Sequence, residues 1–241
     1  MNQTIFSKYE LEINATAKSQ LIIIKEYYGI EPEFELGPTS STSATDLVSG
    51  VFSGIPKIIC NPNFTPSTTD ICHEIWHMFM KVKMEANGFN FEGDLEEYLI
   101  SESGSENAMA ELFSLLYSVV EHHYFFPKLK GDGYSPTEYI ESSLGDPFGW
   151  TDSSSNKFES LNLTIQILQL LSINDLFKGK FQAYLDVLIK QPEYSKAKRL
   201  YEVLQTFTHD EVCIMKQLVK MLWEYSDEIS FLRKNNQIIF I

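Results

Sequence analysis

One short segment constrains the fold more than any other part of the chain. Residues 70–80 read DICHEIWHMFM, and apolar side chains surround its two histidines from Ile71 to Val82. A helix that is hydrophobic nearly all round belongs in the interior of a protein. The histidines and the glutamate of the segment would be enclosed with that helix, where they need hydrogen-bond partners or a metal ion. We therefore predict a central helix over about residues 70–84 that carries a polar site.

The spacing of His73 and His77 indicates metal binding. Residues four apart on a helix lie on one face, one turn from each other, so both imidazoles can point at the same ion. Neutral imidazole is a good zinc ligand, and Zn²⁺ is the metal we expect. Glu74 is rotated away from that line, and a glutamate at this position of an HExxH segment contacts the metal-bound water as a general base. The segment thus predicts His73 and His77 as zinc ligands and Glu74 as the catalytic residue.

A second interpretation of the same residues needs no metal. Buried histidines are often satisfied by ordinary hydrogen bonds. The chain has 5 histidines, and with so few the full pattern would arise by chance in on the order of one sequence in a hundred. We therefore favour the metal site.

Two histidines leave a catalytic zinc short of its usual three protein ligands and one water. Residues 78–87 read MFMKVKMEAN and contain no further histidine. The third ligand must then come from another element, most simply from a helix predicted over residues 103–124. Its candidates are Glu106, Glu111, Glu121, His122 and His123.

Glu111 is the candidate that we favour, and the other four stay open. Glu106 has a separate explanation as part of a helix-capping box with Ser103. Glu111 and His122 share a helix face but lie roughly 16 Å apart along the axis, so they cannot both bind one ion. Small side chains follow on the face of Glu111, which would let this helix pack closely against the His73 helix. They are Ser114 and Ser118.

Composition and charge exclude several classes of partner. The chain has 241 residues, of which 44% are hydrophobic and 22% charged, as expected for a folded protein with one good-sized core and a smaller lobe. Its net charge of −14 opposes binding to nucleic acid or to an anionic membrane surface, because phosphate groups attract clustered Lys and Arg.

The sequence also predicts a cytoplasmic location. The N-terminal segment lacks a basic region followed by an apolar core, which a signal peptide would have. The longest apolar stretches fall far short of the ~20 residues that a membrane-spanning helix needs. The 3 cysteines are too few and too scattered for a disulfide framework or a cysteine-based zinc site.

Periodicity and turn residues predict an α+β fold with three parts. Residues 1–141 form the core domain, 142–158 are a linker rich in Gly, Pro and Ser, and 159–241 form a helical C-terminal lobe. A capping box of Ser67 and Asp70 begins the central helix, and the following long helix ends before Pro127. We expect core helices at 9–28, about 70–84 and 103–124, strands at 33–36 and on either side of a turn within 51–60, and lobe helices at 159–173, 178–190, 193–207 and 210–233.

Three segments together resemble the gluzincin metallopeptidases, and among them the small IrrE/ImmA-like group. The segments are KIICNP (57–62), HEIWH (73–77) and ELFSLLYS (111–118), within a resemblance that covers about residues 10–125. The resemblance implies a minimal zincin core made of an N-terminal helix, a small sheet, the HExxH helix and a glutamate helix. It also implies zinc on His73, His77 and Glu111 with Glu74 as base, and a protein substrate, since members cleave proteins that include transcriptional repressors.

We therefore expect a zinc-dependent peptidase that uses a metal-activated water to hydrolyse a peptide bond. Its expected substrate is a protein or peptide, and a regulatory protein is one expected target. The alternative is a non-catalytic module in which zinc braces the fold and the helical lobe binds a protein. A purely structural zinc site usually has four protein ligands and would not need Glu74, which favours the enzyme. Neither function specifies an oligomeric state.

Overall fold

The fold is α+β and mostly helical, as the sequence predicts. Within the residues that it describes, the computed structural model has seven helices, a three-stranded sheet and a two-stranded ribbon. The described residues are 12–37, 47–90, 106–135, 157–206, 211–227, 232–234 and 237–239.

The elements follow the predicted order along the chain. The first half contains α1 (Ala15–Tyr28), β1 (Glu33–Leu36), β2 (Leu47–Phe52), β3 (Ile55–Cys60), α2 (Thr68–Ala86) and α3 (Glu106–Gly131). The second half contains α4 (Lys157–Asn174), α5 (Gln182–Leu188), α6 (Pro192–Thr206), α7 (Glu211–Asp227), β4 (Leu232–Lys234) and β5 (Gln237–Ile239).

Contacts along the chain group the residues into two compact units. The first comprises residues 1–87 and 125–140, and the second comprises 88–124 and 141–241. Helix α3 is continuous through residue 124 and contributes to both. The predicted linker lies outside the described residues except for 157 and 158, which belong to α4, so the predicted three-part division stays a prediction.

In the first unit, a small mixed sheet packs against two helices. Its strand order is β1-β3-β2, with β1 parallel and β2 antiparallel to the central β3. Strand β3 buries Pro56, Ile58 and Cys60, which alternate with less buried residues. Alternating residues of a strand point to one face of the sheet. Helices α1 and α2 pack on each other and on this sheet, so α2 is enclosed as its apolar sequence predicts.

Helix α2 begins at the predicted capping box. The Ser67 hydroxyl accepts a hydrogen bond from the Asp70 amide at 3.2 Å, and the Asp70 carboxylate accepts one from the Ser67 amide at 2.7 Å. These bonds satisfy two backbone amides at the N-terminal end of α2, where amides have no acceptor within the helix. The cap fixes where α2 starts.

Helix α1 starts later than predicted. Its first helical residue is Ala15, because the Asn14 side chain caps the helix by accepting a hydrogen bond from the Ala17 amide at 2.8 Å. The predicted stop at Gly29 is confirmed, and the glycine adopts a left-handed conformation with φ of 69°. Residues with a Cβ rarely adopt that conformation, which explains a glycine at this helix end.

Helix α3 continues past the point where we predicted its end. Pro127 lies inside the helix, which runs on to Gly131. Proline lacks an amide hydrogen, so the bond to the carbonyl of His123 is lost. The burial of three apolar residues on either side of the proline offsets that loss. They are Phe125, Phe126 and Leu129.

In the second unit, the predicted helices are confirmed with shifted ends. Helix α4 packs against α5, α6 and α7, and α6 also packs against α7. The predicted helix over 210–233 is too long, because α7 ends at Asp227 and residues 232–234 form β4, which pairs with β5. Helix α7 contributes five buried apolar residues to the core of this unit, namely Ile214, Met215, Leu218, Val219 and Leu222. No helix among the described residues is long and apolar enough to cross a membrane.

The capping box of α2 allows a test of this fold. We expect Ser67→Ala to lower the free energy of unfolding by ~1 kcal/mol, because the Asp70 amide loses its side-chain acceptor. Urea unfolding followed by circular dichroism would measure the change. Thr65→Ala is a matched control, since Thr65 is exposed and precedes the helix. Equal unfolding midpoints for the two variants would contradict the assigned start of α2.

Candidate metal and catalytic site

The predicted pair of histidines lies on one face of α2. The rings of His73 and His77 meet edge to face with centroids 4.6 Å apart. Phe125 of α3 contacts both, with ring centroids 5.3 Å from His73 and 5.1 Å from His77. His73 is buried, whereas His77 is partly exposed. Two imidazoles thus converge as the sequence predicts, beside the ring of Phe125.

A third histidine completes a group that could hold a metal ion. His73, His77 and His122 each offer one ligand nitrogen, and these three atoms all lie within 4.8 Å of one another. Around a tetrahedral zinc with Zn–N distances of 2.0–2.1 Å, ligand nitrogens are about 3.4 Å apart. Each imidazole would therefore have to move by less than about 1 Å to reach a shared ion.

Both carboxylate oxygens of Glu74 have protein partners. The Ser49 hydroxyl donates to Oε2 at 2.6 Å, and His73 Nδ1 lies 3.2 Å from Oε1. Burial alone would raise the pKa of Glu74, but the hydrogen bonds from His73 and the Ser49 hydroxyl lower it, and a proton on either histidine would lower it further. Glu74 is therefore a buried, ionised carboxylate at neutral pH.

The same contact fixes the tautomer of His73. Burial and the neighbouring His77 lower the pKa of His73, against the opposing effect of Glu74. The imidazole is therefore neutral at pH 7 and carries one N–H. A carboxylate can only accept, so that hydrogen is on Nδ1 and the lone pair is on Nε2. A histidine that donates one ring N–H to a carboxylate and presents the other nitrogen is the usual arrangement of a metal ligand.

The structure does not bring Glu111 to this group. Glu111 is exposed, and it precedes His122 by eleven residues of one helix, or roughly 16 Å along the axis. Among the other candidates, Glu121 is buried next to His122. His123 lies against the rings of Tyr124 and Tyr201. The side chain of Glu106 lies outside what the structure describes, as does its predicted capping partner.

His122 is among the predicted candidates, and the expected end of α3 counts against it. With the helix ending at about residue 124, His122 belongs to a last turn, where histidine occurs for electrostatic reasons alone. In the structure about two further turns follow, and they are lined by Phe125, Phe126 and Leu129. The helical spacing of these apolar residues across Pro127 is the signal that places His122 in the interior of a long helix.

Ser49 is the contact that sequence analysis missed. It lies on β2, 25 positions before Glu74, and its only local signal is a hydroxyl between Val48 and Gly50. The pairing register of β2 is needed to show that it faces α2.

The chain has no recognised counterpart in three comparisons with known proteins. No family model, no curated protein and no solved structure matches it.

The histidine group predicts which substitution weakens metal binding most. We expect His122→Ala to weaken Zn²⁺ binding by more than the roughly 10–100-fold that follows loss of an outer-shell partner, because the variant would remove a direct ligand of the ion. Competition with a chromogenic chelator would measure the affinity.

Two matched controls are available on the same helix. His123→Ala removes the adjacent histidine and Glu111→Ala the exposed carboxylate, and both variants should bind zinc as tightly as the parent. A Glu111→Ala variant that loses zinc while His122→Ala retains it would show that the glutamate is the ligand.

Proposed function

We propose that this protein is a zinc-dependent peptidase that hydrolyses a peptide bond. The observation that carries the proposal is the group of His73, His77 and His122 next to the buried, ionised carboxylate of Glu74. Three imidazole nitrogens are a typical donor set for catalytic zinc, which keeps a fourth position for water or substrate. Glu74 immediately follows a ligand on the helix, as a general base of this class does.

The residues of the site have distinct roles in this mechanism. His73, His77 and His122 would hold Zn²⁺, which supplies Lewis-acid polarisation and a more acidic water when bound. Glu74 is anionic, so it can accept a proton from the attacking water and then pass that proton to the leaving amine. The rings of Phe125 and Phe126 pack against His73, and apolar surroundings strengthen electrostatic interactions within a site.

The same proposal includes the zincin arrangement and its family. The sheet, α2 and α3 would correspond to the strand, the HExxH helix and the ligand helix of an IrrE/ImmA-like gluzincin. The HEIWH segment supports this relation. The proposed third ligand departs from it, because a gluzincin uses a glutamate at the position that Glu111 matches, whereas the group that could hold a metal ion here includes His122.

The proposed substrate is a protein or peptide, with a regulatory protein as one expected target. The net charge of −14 would repel nucleic acid and anionic membranes, so neither is proposed as a partner. A cytoplasmic location belongs to the same proposal.

One observation favours the alternative, a zinc-braced module that binds proteins through its helical lobe. His73, Glu74 and His122 are only 2%, 7% and 3% exposed, and a substrate must reach the ion. A structural zinc normally has four protein ligands, however, and the group found among the described residues has three. We therefore retain the peptidase as the leading proposal.

Glu74→Gln separates the two functions. The parent protein, purified without chelators, should contain about one zinc per chain. The variant should keep its zinc but lose ~10²–10⁴-fold in cleavage of an internally quenched peptide library, because glutamine cannot accept the proton. Glu85→Gln is a matched control on the same helix. Glu85 accepts a hydrogen bond from the Tyr28 hydroxyl at 3.0 Å and is not the proposed base, so this variant should leave cleavage unchanged.

Each other outcome has a definite meaning. Zinc-loaded parent protein that cleaves no member of the library would support the zinc-braced module. Loss of zinc in Glu74→Gln would make the glutamate a ligand. A parent that contains no metal and binds none on addition would refute both functions.

A further inference from the structure

The inner face of strand β2 carries one polar residue among apolar ones. Residues directly opposite each other on paired strands point to the same face of a sheet. The register pairs Leu47 with Cys60, Ser49 with Ile58 and Val51 with Pro56. The three partners on β3 are the buried ones. Leu47, Ser49 and Val51 therefore face the side that α2 covers.

The Ser49 hydroxyl is half-buried on this face, where it loses part of its hydration and a protein partner is favourable. That partner is Glu74. The Ser49 Oγ–Glu74 Oε2 distance of 2.6 Å is short, as expected for an O–H bond to an ionised carboxylate. Neighbouring β2 positions supply no other hydroxyl on that face, so this bond is specific to residue 49.

The two bonds to Glu74 come from different elements. His73 on α2 holds Oε1 and Ser49 on β2 holds Oε2. A single bond to Oε1 would leave the carboxylate free to turn about that contact. The second bond, from the strand, fixes the plane of the carboxylate. A general base loses much of its effect when it is displaced by about 1 Å, so such a restraint matters for catalysis.

We propose that Ser49 is a positioning residue, whose hydroxyl holds the Glu74 carboxylate in the orientation from which it accepts a proton. This inference rests on the proposed peptidase function and adds a residue to it. Ser49 itself is not a zinc ligand and does not transfer the proton. Its loss should therefore reduce turnover without releasing the metal.

A pair of isosteric substitutions isolates the hydroxyl. Ser49→Thr keeps the hydroxyl and adds a methyl group, whereas Ser49→Val has the same shape as threonine without the hydroxyl. Both residues suit a strand. Steady-state kinetics on the best-cleaved peptide of the quenched library, with zinc content measured for each sample, would compare them. We expect Ser49→Val to lower kcat roughly 10-fold with KM within about twofold, and Ser49→Thr to stay near the parent.

A second comparison tests whether Ser49 acts through Glu74. Residues that act as a unit are not additive in their effects. In the Glu74→Gln background, Ser49→Val should therefore cause no more than about a twofold further loss in kcat. A further loss as large as in the parent background would show that Ser49 acts by another route, and would overturn the proposal.

The remaining outcomes also decide the question. Equal losses in Ser49→Thr and Ser49→Val would assign the effect to packing. Loss of zinc in Ser49→Val would assign it to the metal site. Either result overturns the positioning role while leaving the peptidase proposal intact, whereas a zinc-loaded parent without activity refutes the peptidase first and the positioning role with it.

Discussion

The burial of one ionised carboxylate organises the first unit of this protein. An uncompensated charge in an apolar interior is strongly unfavourable, so Glu74 can be buried only where donors reach it. One donor, His73, comes from the same helix and the other, Ser49, from strand β2. The helix must therefore lie at a particular height on the sheet. A shift of β2 by one residue would turn Ser49 outward and leave the carboxylate with one partner, because alternate residues face opposite sides. The register of the sheet therefore determines whether Glu74 has both of its hydrogen-bond partners.

The turns of α3 that follow His122 enclose the histidines of α2. Phe125 lies edge to face with His73, and its ring is stacked on that of Trp76, with a centroid distance of 5.9 Å. Phe126 adds a second ring beside His73. These contacts restrict the rotation of the imidazole rings. A donor set that is already oriented loses less entropy when it binds an ion, so these rings would raise the affinity of the proposed metal site without touching the ion.

Local patterns were enough to predict much of this structure. Strand β1 matches its predicted range of 33–36, and the capping box at Ser67 sets the start of α2. What sequence analysis did not predict depends on packing between elements. Pro127 predicts a helix end, but the burial of its apolar neighbours sustains α3 beyond it and places His122 in the interior of the helix. Ser49 could not be identified because a strand register is not readable from a single serine.

The nature of the third ligand changes the charge of the proposed site. With two histidines and a glutamate as ligands, the two negative charges of that glutamate and of Glu74 would balance the charge of Zn²⁺ and give a neutral site. With His73, His77 and His122 as ligands, the charges of Zn²⁺ and the Glu74 carboxylate would sum to about +1. Neutral ligands withdraw less of the ion's charge, which makes it a stronger Lewis acid towards a carbonyl. Glu74 then has an electrostatic role before any reaction occurs. Its buried negative charge would attract a cation to three ligands that carry none, and the hydrogen bonds from Ser49 and His73 hold that charge in place.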